Sequence, residues 1–324
     1  MAAFPEPARL RIGFAHPAYQ LEAEFLNRRK DIKTALATSI PALDAMIPDV
    51  DVLLVSGLWR NTLLAHAKSL KFVQSISAGT DQYDRNMFRE RGVRLASAQG
   101  ANERAVAEHA LALMLALSRH LHLGRDAQAK RLWRPMIGDP RQREQEQRGR
   151  SVVVIGFGRI GQRFGRMARA LDCNVIGLRR EAIPAPDAAD SVMSIDDLDL
   201  VLPQADVVVL TCPLTPQTER LINAQTLALM KPSAHLINVA RGKVVDEAAL
   251  VATLQAGALA AAALDMTEEE PLLPSSPLWA MPNVIITPHS AGETGRYEAN
   301  VIDILEDNLA RLWRGETDLK NQIV

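Results

Sequence analysis

The chain has 324 residues, of which 48% are hydrophobic and 23% are charged, and its formal net charge is −1. These values are ordinary for a globular protein, and the length is sufficient for two domains. A chain without a basic field offers no support for a nucleic-acid or an anionic-membrane partner. The N-terminal stretch MAAFPEPARL lacks the apolar run of a signal peptide, so we expect a cytoplasmic protein.

The two cysteines indicate neither a metal site nor a disulfide framework. Cys173 and Cys212 show no metal-ligand spacing, and two cysteines are too few to brace a fold. The longest apolar stretch, ALALMLAL at 110–117, is too short to span a bilayer and predicts a buried helix. We therefore expect a reduced protein that binds no metal and no membrane.

The first hundred residues alternate short apolar runs with helical patterns. Such alternation predicts a small α/β domain with a parallel sheet. Two or three short helices fit between four predicted strands, which are Leu10–Phe14, Val50–Val55, Phe72–Ile76 and Val93–Ala96. A strongly apolar helix is predicted next, over Asn102–Leu123, and the charged stretch after it, Asp139–Arg150, is interpreted as a solvated connector.

A glycine-rich turn, GFGRIG, follows the apolar run Val152–Ile155 and precedes an amphipathic stretch. Gly156 permits a tight turn, Gly158 lets a pyrophosphate approach the backbone, and Gly161 lets the helix pack on the sheet. The start of the helix adds free N–H groups and the positive end of the helix dipole. This βαβ pattern predicts a dinucleotide site.

The residues after the next predicted strand, Asn174–Leu178, bear on the choice of cofactor. An Asp or Glu at this position normally binds the ribose 2′-hydroxyl, but Arg179 and Arg180 stand there. Guanidinium groups bind a 2′-phosphate bidentately, so the pair predicts a preference for NADP over NAD. The alternative is that both arginines are an exposed strand end without a ligand.

Further strands and helix caps complete the pattern of a doubly wound Rossmann domain with six strands. The remaining strands are predicted at Val207–Thr211, His235–Val239, Ala260–Leu264 and Val284–Thr287. Helices between them begin at Ser194, which has Asp197 three residues later, and at Asn223 and Asp246. A last helix, from Tyr297 to Arg314, ends at Gly315 and is free to return to the first domain.

Three side chains able to do chemistry follow the fourth, fifth and sixth strands of this sheet: Arg241, Glu270 and His289. The carboxyl ends of parallel strands share one edge, so we expect them to converge. His289 can serve as an acid, Glu270 can hold its second ring nitrogen, and Arg241 can bind a carboxylate. Glu268 and Glu269 compete with Glu270 for this role. The other histidines are interpreted as structural, including His109 on the predicted apolar helix.

Five segments in this order resemble the D-isomer-specific 2-hydroxyacid dehydrogenase family: SISAGTDQYD, GFGRIG, TCPLTPQTERLIN, LINVARGKVVDEAAL and ALDMTEEEPLLPSSPLWAMPNVIITPHSAG. The resemblance implies a Rossmann cofactor domain at 101–289 and a smaller, flavodoxin-like α/β substrate domain. It implies that the substrate domain is discontinuous, with residues 1–100 and 290–324. It also implies a homodimer, in which the apolar helix and the following loop embrace the partner subunit.

The resemblance also implies roles for individual residues. Arg241 matches the substrate-binding arginine, His289 the acid/base, and Glu270, directly before the proline, its carboxylate partner. The backbone of Ser77, Ala78 and Gly79 is implied to bind the substrate carboxylate. Other implied cofactor contacts are Arg159, Ile160, Cys212, Pro213, Val239, Ala240 and Asp265. The family often has an aromatic residue after this aspartate, and Met266 and Thr267 depart from that pattern.

These roles imply an oxidoreductase that reduces a small 2-oxo acid, such as glyoxylate or hydroxypyruvate, to the D-2-hydroxy acid. NADP(H) is the preferred cofactor and NAD(H) the alternative. The rivals are another 2-hydroxyacid, formate or phosphite dehydrogenase, or a cofactor-sensing corepressor. Glu270 argues against formate, since formate enzymes carry Gln there. We do not expect this chain to be one of the longer phosphoglycerate dehydrogenases, since no regulatory extension follows Val324. The pocket for the substrate side chain stays undetermined.

Overall fold

The computed structural model describes residues 4–324, which form two compact units. The smaller unit comprises residues up to 102 together with 293–324, and the larger unit comprises 103–292. The predicted domains had their boundaries at 100/101 and 289/290. The assignment of substrate and cofactor binding to the two units stays a prediction.

The smaller unit is built on a five-stranded parallel sheet. Its strands are β1 (Arg11–Ala15), β2 (Lys33–Ala37), β3 (Val52–Val55), β4 (Phe72–Ser75) and β5 (Arg94–Ala96). They lie in the order β2-β1-β3-β4-β5, which is the flavodoxin-like order, so the predicted fold of this domain is confirmed. The sequence analysis missed β2, because this edge strand is half exposed and its sequence, KTALA, has no strong apolar pattern.

Helices cover both faces of this sheet. They are α1 (Leu21–Arg28), α2 (Ile40–Met46), α3 (Arg85–Arg91) and the C-terminal helix Tyr297–Trp313. The C-terminal helix packs Val301 and Leu305 into the same apolar cluster as Phe14 and Phe25. It ends as predicted, with Gly315 in the left-handed region at φ +71°. Long stretches of chain thus separate the two parts of this core.

The larger unit contains a seven-stranded sheet in which every pair is parallel. Its strands are β6 (Ser151–Ile155), β7 (Asn174–Arg179), β8 (Ser191–Ser194), β9 (Val207–Leu210), β10 (His235–Asn238), β11 (Ala261–Leu264) and β12 (Val284–Ile286). The order β12-β11-β10-β9-β6-β7-β8 confirms the predicted doubly wound fold. The order of the strands switches at β6 and β9: β7 and β8 follow β6 on one side of the sheet, and β9 to β12 are added on the other side. In doubly wound sheets, ligands bind at the carboxyl ends beside this switch point.

Helices bury both faces of this second sheet. They are α4 (Glu103–Ser118), α5 (Leu121–Ala129), α6 (Arg159–Arg169), α7 (Leu198–Val201), α8 (Ala224–Leu229) and α9 (Glu247–Gln255). Val152 and Val154 face the cluster that contains α4 and α6, and Val153 and Ile155 face the other. A strand buried on both faces is apolar throughout, which explains SVVVI. Within residues 4–324, no helix is long and apolar enough to cross a membrane.

Two predictions for this unit are wrong in detail. The helix expected over Asn102–Leu123 is two helices, because His120 adopts a left-handed conformation at φ 52° that an α-helix cannot continue. The sheet has seven strands instead of six, because the short segment SVMS pairs with β7 as β8. The predicted capping box at Ser194 is confirmed, and it directly follows this extra strand.

A buried histidine makes the stability of this unit depend on pH. His235 begins β10 with 6% of its surface exposed, and its Nδ1 has no hydrogen-bond partner within residues 4–324. Burial, aided by the charge of Arg150, lowers the pKa of His235 from 6.5 to about 4. Between these two pH values the unfolded chain binds the proton more readily than the folded one.

Acidification should therefore destabilise the protein in part through His235. We expect this residue to remove up to about 3 kcal/mol of unfolding free energy as the pH falls from 6.5 to 4. Urea unfolding at about pH 7.5 and about pH 5 measures the loss in the wild type and in His235→Ala. The variant should lose less stability than the wild type on acidification. Equal losses would assign the pH dependence to other groups.

Candidate active site

The glycine turn between β6 and α6 has the close contacts that its sequence predicts. Gly156 has a left-handed φ of +93°, and a Cβ there would collide with the backbone of Cys212. A Cβ at Gly161 would lie 2.8 Å from the carbonyl oxygen of Gly156. Tight turning and close helix packing therefore account for these two glycines.

Gly158 is constrained differently, since a Cβ there would have no heavy atom within 4 Å. It is the N-cap residue of α6. The next backbone N–H groups, those of Arg159, Ile160 and Gly161, donate to no acceptor among residues 4–324. Open space beside three free donors at a helix start suits a pyrophosphate, so the turn fits a dinucleotide cofactor.

The arginines near this turn differ in their partners. Arg159 Nη1 lies 3.3 Å from the Glu103 carboxylate, and Arg166 on α6 pairs with Asp187 at 2.8 Å. Arg179 ends β7 and Arg180 follows it, and within the described part of the chain neither forms an ion pair. Their guanidinium groups are therefore open to an anionic ligand.

The other predicted cofactor contacts follow β9 and β10 at the same edge of the sheet. They are Cys212, Pro213, Val239 and Ala240. Burial raises the pKa of the Cys212 thiol to about 11, which disfavours the thiolate form at neutral pH.

His289 and Glu270 meet directly at this edge. His289 Nδ1 lies 2.7 Å from Glu270 Oε2, although 18 residues separate them in the chain. Glu268 instead pairs with Arg220 at 3.2 Å, and its N–H donates to Glu247. Among three adjacent glutamates, the structure thus brings Glu270 to the histidine, as the sequence analysis expected.

Thr267 supports the loop that carries Glu270. Its N–H donates to Glu270 Oε1 at 3.3 Å, and its hydroxyl donates to the Glu269 carbonyl oxygen at 2.7 Å. The departure from the family's usual aromatic therefore adds a hydroxyl that bridges the loop. The side chain before it, Met266, is buried, with 6% of its surface exposed.

Arg241 is held by a residue that the sequence analysis missed. Asn238 at the end of β10 is 1% exposed, and its side chain donates to the Arg241 carbonyl oxygen and accepts the Ala240 N–H, both at 3.0 Å. The sequence signal for Asn238 was a polar residue at the end of the buried strand HLIN. At Gly242, a Cβ would collide with the Thr267 carbonyl, so the loops of Arg241 and Glu270 touch.

The backbone around His289 is clamped by a buried carboxylate. Asp265 is 2% exposed; its Oδ1 accepts the Ser290 N–H at 2.9 Å and its Oδ2 accepts the Ala291 N–H at 3.0 Å. His289 itself is left-handed, with φ 53°, a conformation that the surroundings must hold. The expected contact of Asp265 with the nicotinamide carboxamide stays a prediction.

The predicted carboxylate-binding loop lies in the smaller unit, directly after β4. Its first residue, Ser77, is already bonded: its N–H donates to Ser75 Oγ at 3.2 Å, and its Oγ lies 2.6 Å from Ser56 Oγ. The N–H groups of Ala78 and Gly79 donate to no acceptor within residues 4–324. These two groups are therefore open to an anion.

Comparison with known proteins identifies the class. Residues 111–291 match the model for the NAD-binding domain of the D-isomer-specific 2-hydroxyacid dehydrogenases. A glyoxylate reductase of Pyrococcus furiosus is 33% identical over 283 residues, which cover 83% of this chain and 81% of that protein. The chain belongs to the D-isomer-specific 2-hydroxyacid dehydrogenase family. The expected family is thereby confirmed.

Other matches bear on length and on cofactor. A D-3-phosphoglycerate dehydrogenase of Archaeoglobus fulgidus is 34% identical over 252 residues, 77% of this chain. The chain spans about half the length of such relatives, 46% in this case. The structure of an NADPH-dependent glyoxylate/hydroxypyruvate reductase from Sinorhizobium meliloti is similar, with a TM-score of 0.82 at 27% identity over 98% of each chain.

The glycine turn allows cofactor binding and folding to be changed separately. Gly158→Ala should weaken binding of the nicotinamide cofactor at least about tenfold, or about 1.4 kcal/mol, because the methyl group enters the space for the pyrophosphate. Its unfolding free energy should change by no more than about 1 kcal/mol. Gly161→Ala should instead destabilise the fold by about 1–3 kcal/mol through overpacking. Fluorescence titration measures the affinity for the cofactor, and urea unfolding measures the stability. Normal affinity in a stable Gly158→Ala variant would contradict the placement of the pyrophosphate beside Gly158.

Proposed function

We propose that this protein reduces a small 2-oxo acid to the D-2-hydroxy acid with a nicotinamide cofactor, and that glyoxylate or hydroxypyruvate is the favoured substrate. The observation that carries this proposal is the 2.7 Å contact between His289 Nδ1 and Glu270 Oε2 at the carboxyl edge of the cofactor sheet. A histidine oriented by a carboxylate can transfer a proton to a carbonyl oxygen. Family membership supports the reaction class.

When bound, the reduced nicotinamide supplies the hydride that reaches the keto carbon. His289 supplies the matching proton to the carbonyl oxygen from Nε2, because Nδ1 is engaged with Glu270. The Glu270 carboxylate holds the ring in one orientation and stabilises its protonated form. Net addition of hydride and proton converts the ketone to the alcohol.

Arg241 is the proposed anchor for the substrate carboxylate. Its Nη1 donates to the Ala240 carbonyl oxygen at 2.7 Å, which leaves further N–H groups of the guanidinium for a ligand. The backbone N–H groups of Ala78 and Gly79, in the smaller unit, are proposed as further substrate-binding groups. Arg241 would also polarise the neighbouring carbonyl and favour hydride attack.

NADP(H) is the proposed cofactor, with NAD(H) as the alternative. The support is the position of Arg179 and Arg180 at the end of β7, where neither is engaged by a carboxylate among the described residues. Charge-assisted pairs between guanidinium and phosphate are strong and bidentate. A similar structure carries the name of an NADPH-dependent reductase.

A homodimer belongs to the same proposal. The segment after α5 exposes Trp133 by 96% and Met136 by 97%, together with Leu132 by 61%. Exposed apolar side chains at neighbouring positions are typical of a surface that a partner covers. This is the segment that the family resemblance assigns to the dimer arm.

Substrates related to 3-phosphoglycerate are the second candidate, because several relatives carry the name D-3-phosphoglycerate dehydrogenase. The geometry of His289, Glu270 and Arg241 suits either substrate, since both present a carboxylate beside the reacting carbon. A panel of glyoxylate, hydroxypyruvate, pyruvate and phosphohydroxypyruvate discriminates between them by kcat/KM.

The role of His289 has a direct test. His289→Ala should lower kcat on the best substrate of the panel by roughly 10²–10⁴-fold, while the Kd for NADPH changes by less than about threefold. Glu269→Gln is the matched control, because the neighbouring carboxylate does not bond the ring; its kcat should stay close to that of the wild type. If His289→Ala kept most of its turnover, another residue would be the acid.

The cofactor preference is tested at the end of β7. Arg179→Asp should raise the KM for NADPH by roughly 10–100-fold and favour NADH, because it replaces an attraction for the 2′-phosphate by a repulsion. Arg314→Asp, an exposed arginine of the smaller unit, serves as the control for the change in charge. An unchanged ratio of NADPH to NADH kinetics would make Arg179 an inert strand end.

A further inference from the structure

We propose that His109 and Thr287 are positioning residues that hold the catalytic His289 in place through Asp265. The inference rests on the proposed function insofar as His289 is the acid. It changes the interpretation of His109, which the sequence analysis took to be one of several structural histidines. His109 lies on α4, far in the chain from the segment that carries His289.

A chain of two hydrogen bonds joins α4 to the residues that directly follow β12 and β11. His109 Nε2 lies 3.0 Å from Thr287 Oγ1, and the Thr287 hydroxyl donates to Asp265 Oδ1 at 2.6 Å. The direct separation of His109 Nε2 from Asp265 Oδ1 is 3.6 Å, which is too long for a hydrogen bond. The threonine hydroxyl therefore relays the contact between the ring and the carboxylate.

The direction of the protons in this chain follows from donor and acceptor counts. A carboxylate only accepts, and Asp265 already takes the N–H groups of Ser290 and Ala291. The single hydroxyl hydrogen of Thr287 is thus used on Asp265. Thr287 Oγ1 can then only accept from His109, which assigns the proton on His109 to Nε2.

The anchored aspartate holds the three residues at 289–291 in one arrangement. Its main-chain carbonyl accepts the His289 N–H at 3.0 Å, and its carboxylate accepts the next two N–H groups. His289 has φ 53°, a conformation that a non-glycine residue keeps only when its surroundings enforce it. A rotated Asp265 carboxylate would release this backbone and move the ring relative to the substrate.

The burial of Asp265 and the partial exposure of His109 argue against a role for His109 in packing alone. The Asp265 side chain is fully buried, whereas 24% of the His109 side chain is exposed. A buried carboxylate needs every available donor. The Asp265 carboxylate has three donors: the N–H groups of Ser290 and Ala291, and the hydroxyl of Thr287. The loss of one such contact frees the carboxylate to rotate, and catalysis is sensitive to shifts of about 1 Å.

The experiment uses the full chain with four substitutions. His109→Leu removes the donor and leaves an apolar side chain of similar bulk. His109→Gln restores an N–H near the position of Nε2. Thr287→Val removes the relay. Thr253→Val is the matched control, since the Thr253 hydroxyl donates to the Ala249 carbonyl at 2.7 Å within α9.

Two readouts are measured on each variant. Amide hydrogen exchange should be at least about tenfold faster at Ser290 and Ala291 in His109→Leu and Thr287→Val. In the same variants kcat on the best 2-oxo acid should fall roughly tenfold, with KM and the Kd for NADPH within about threefold. His109→Gln should return both readouts to within about threefold of the wild type, and Thr253→Val should not change either.

Several results would overturn the proposal. Unchanged exchange at Ser290 and Ala291 in His109→Leu would show that His109 does not hold this backbone through Asp265. Faster exchange with wild-type kcat would mean that the clamp does not position the acid. If exchange and kcat in His109→Gln were no closer to the wild type than in His109→Leu, the effect of His109 would be one of packing alone. If the wild type reduced no acid of the panel, the proposed function would fail separately, and exchange in the leucine and glutamine variants would still decide the clamp.

Discussion

Every strand of the larger unit runs in the same direction, and the chemistry of the protein depends on this constraint. Parallel pairing places all carboxyl ends at one edge, so the residues after β6, β9, β10, β11 and β12 emerge together. The strand order also switches at β6 and β9, and in doubly wound sheets this switch point is where ligands bind. Residues separated by scores of positions in the sequence can then share one site. Reversal of any central strand would send its loop to the opposite edge.

Close backbone contact turns this shared edge into a defined geometry. At Gly156, Gly161 and Gly242 a side chain would collide with a neighbouring loop or strand. These contacts fix how far apart the loops lie, while Gly158 keeps its space open for a ligand. The same residue type therefore serves two opposite needs within one site, and only its neighbours distinguish them.

A buried carboxylate supplies the remaining order. Asp265 pairs with no Lys or Arg among residues 4–324, and its oxygens are satisfied by N–H groups and one hydroxyl. Such a group is costly if any donor is lost, which makes it a stringent orienting device. It determines the backbone at His289, and Glu270 then determines the direction of the ring. The orientation of His289 thus comes from two carboxylates with different tasks.

The sequence by itself determined the glycine turn, most of the buried strands and the caps at Asn223 and Asp246, and it singled out Arg241, Glu270 and His289 as candidates, because each depends on local pattern or short motifs. Edge strands β2 and β8 and the break at His120 escaped it, since they depend on pairing or on one backbone angle. Only the tertiary structure decided that Glu270, and not Glu268, meets His289, and that Asn238, Thr287 and His109 support the site. Hydrogen bonds between residues distant in the chain leave no periodic trace in the sequence.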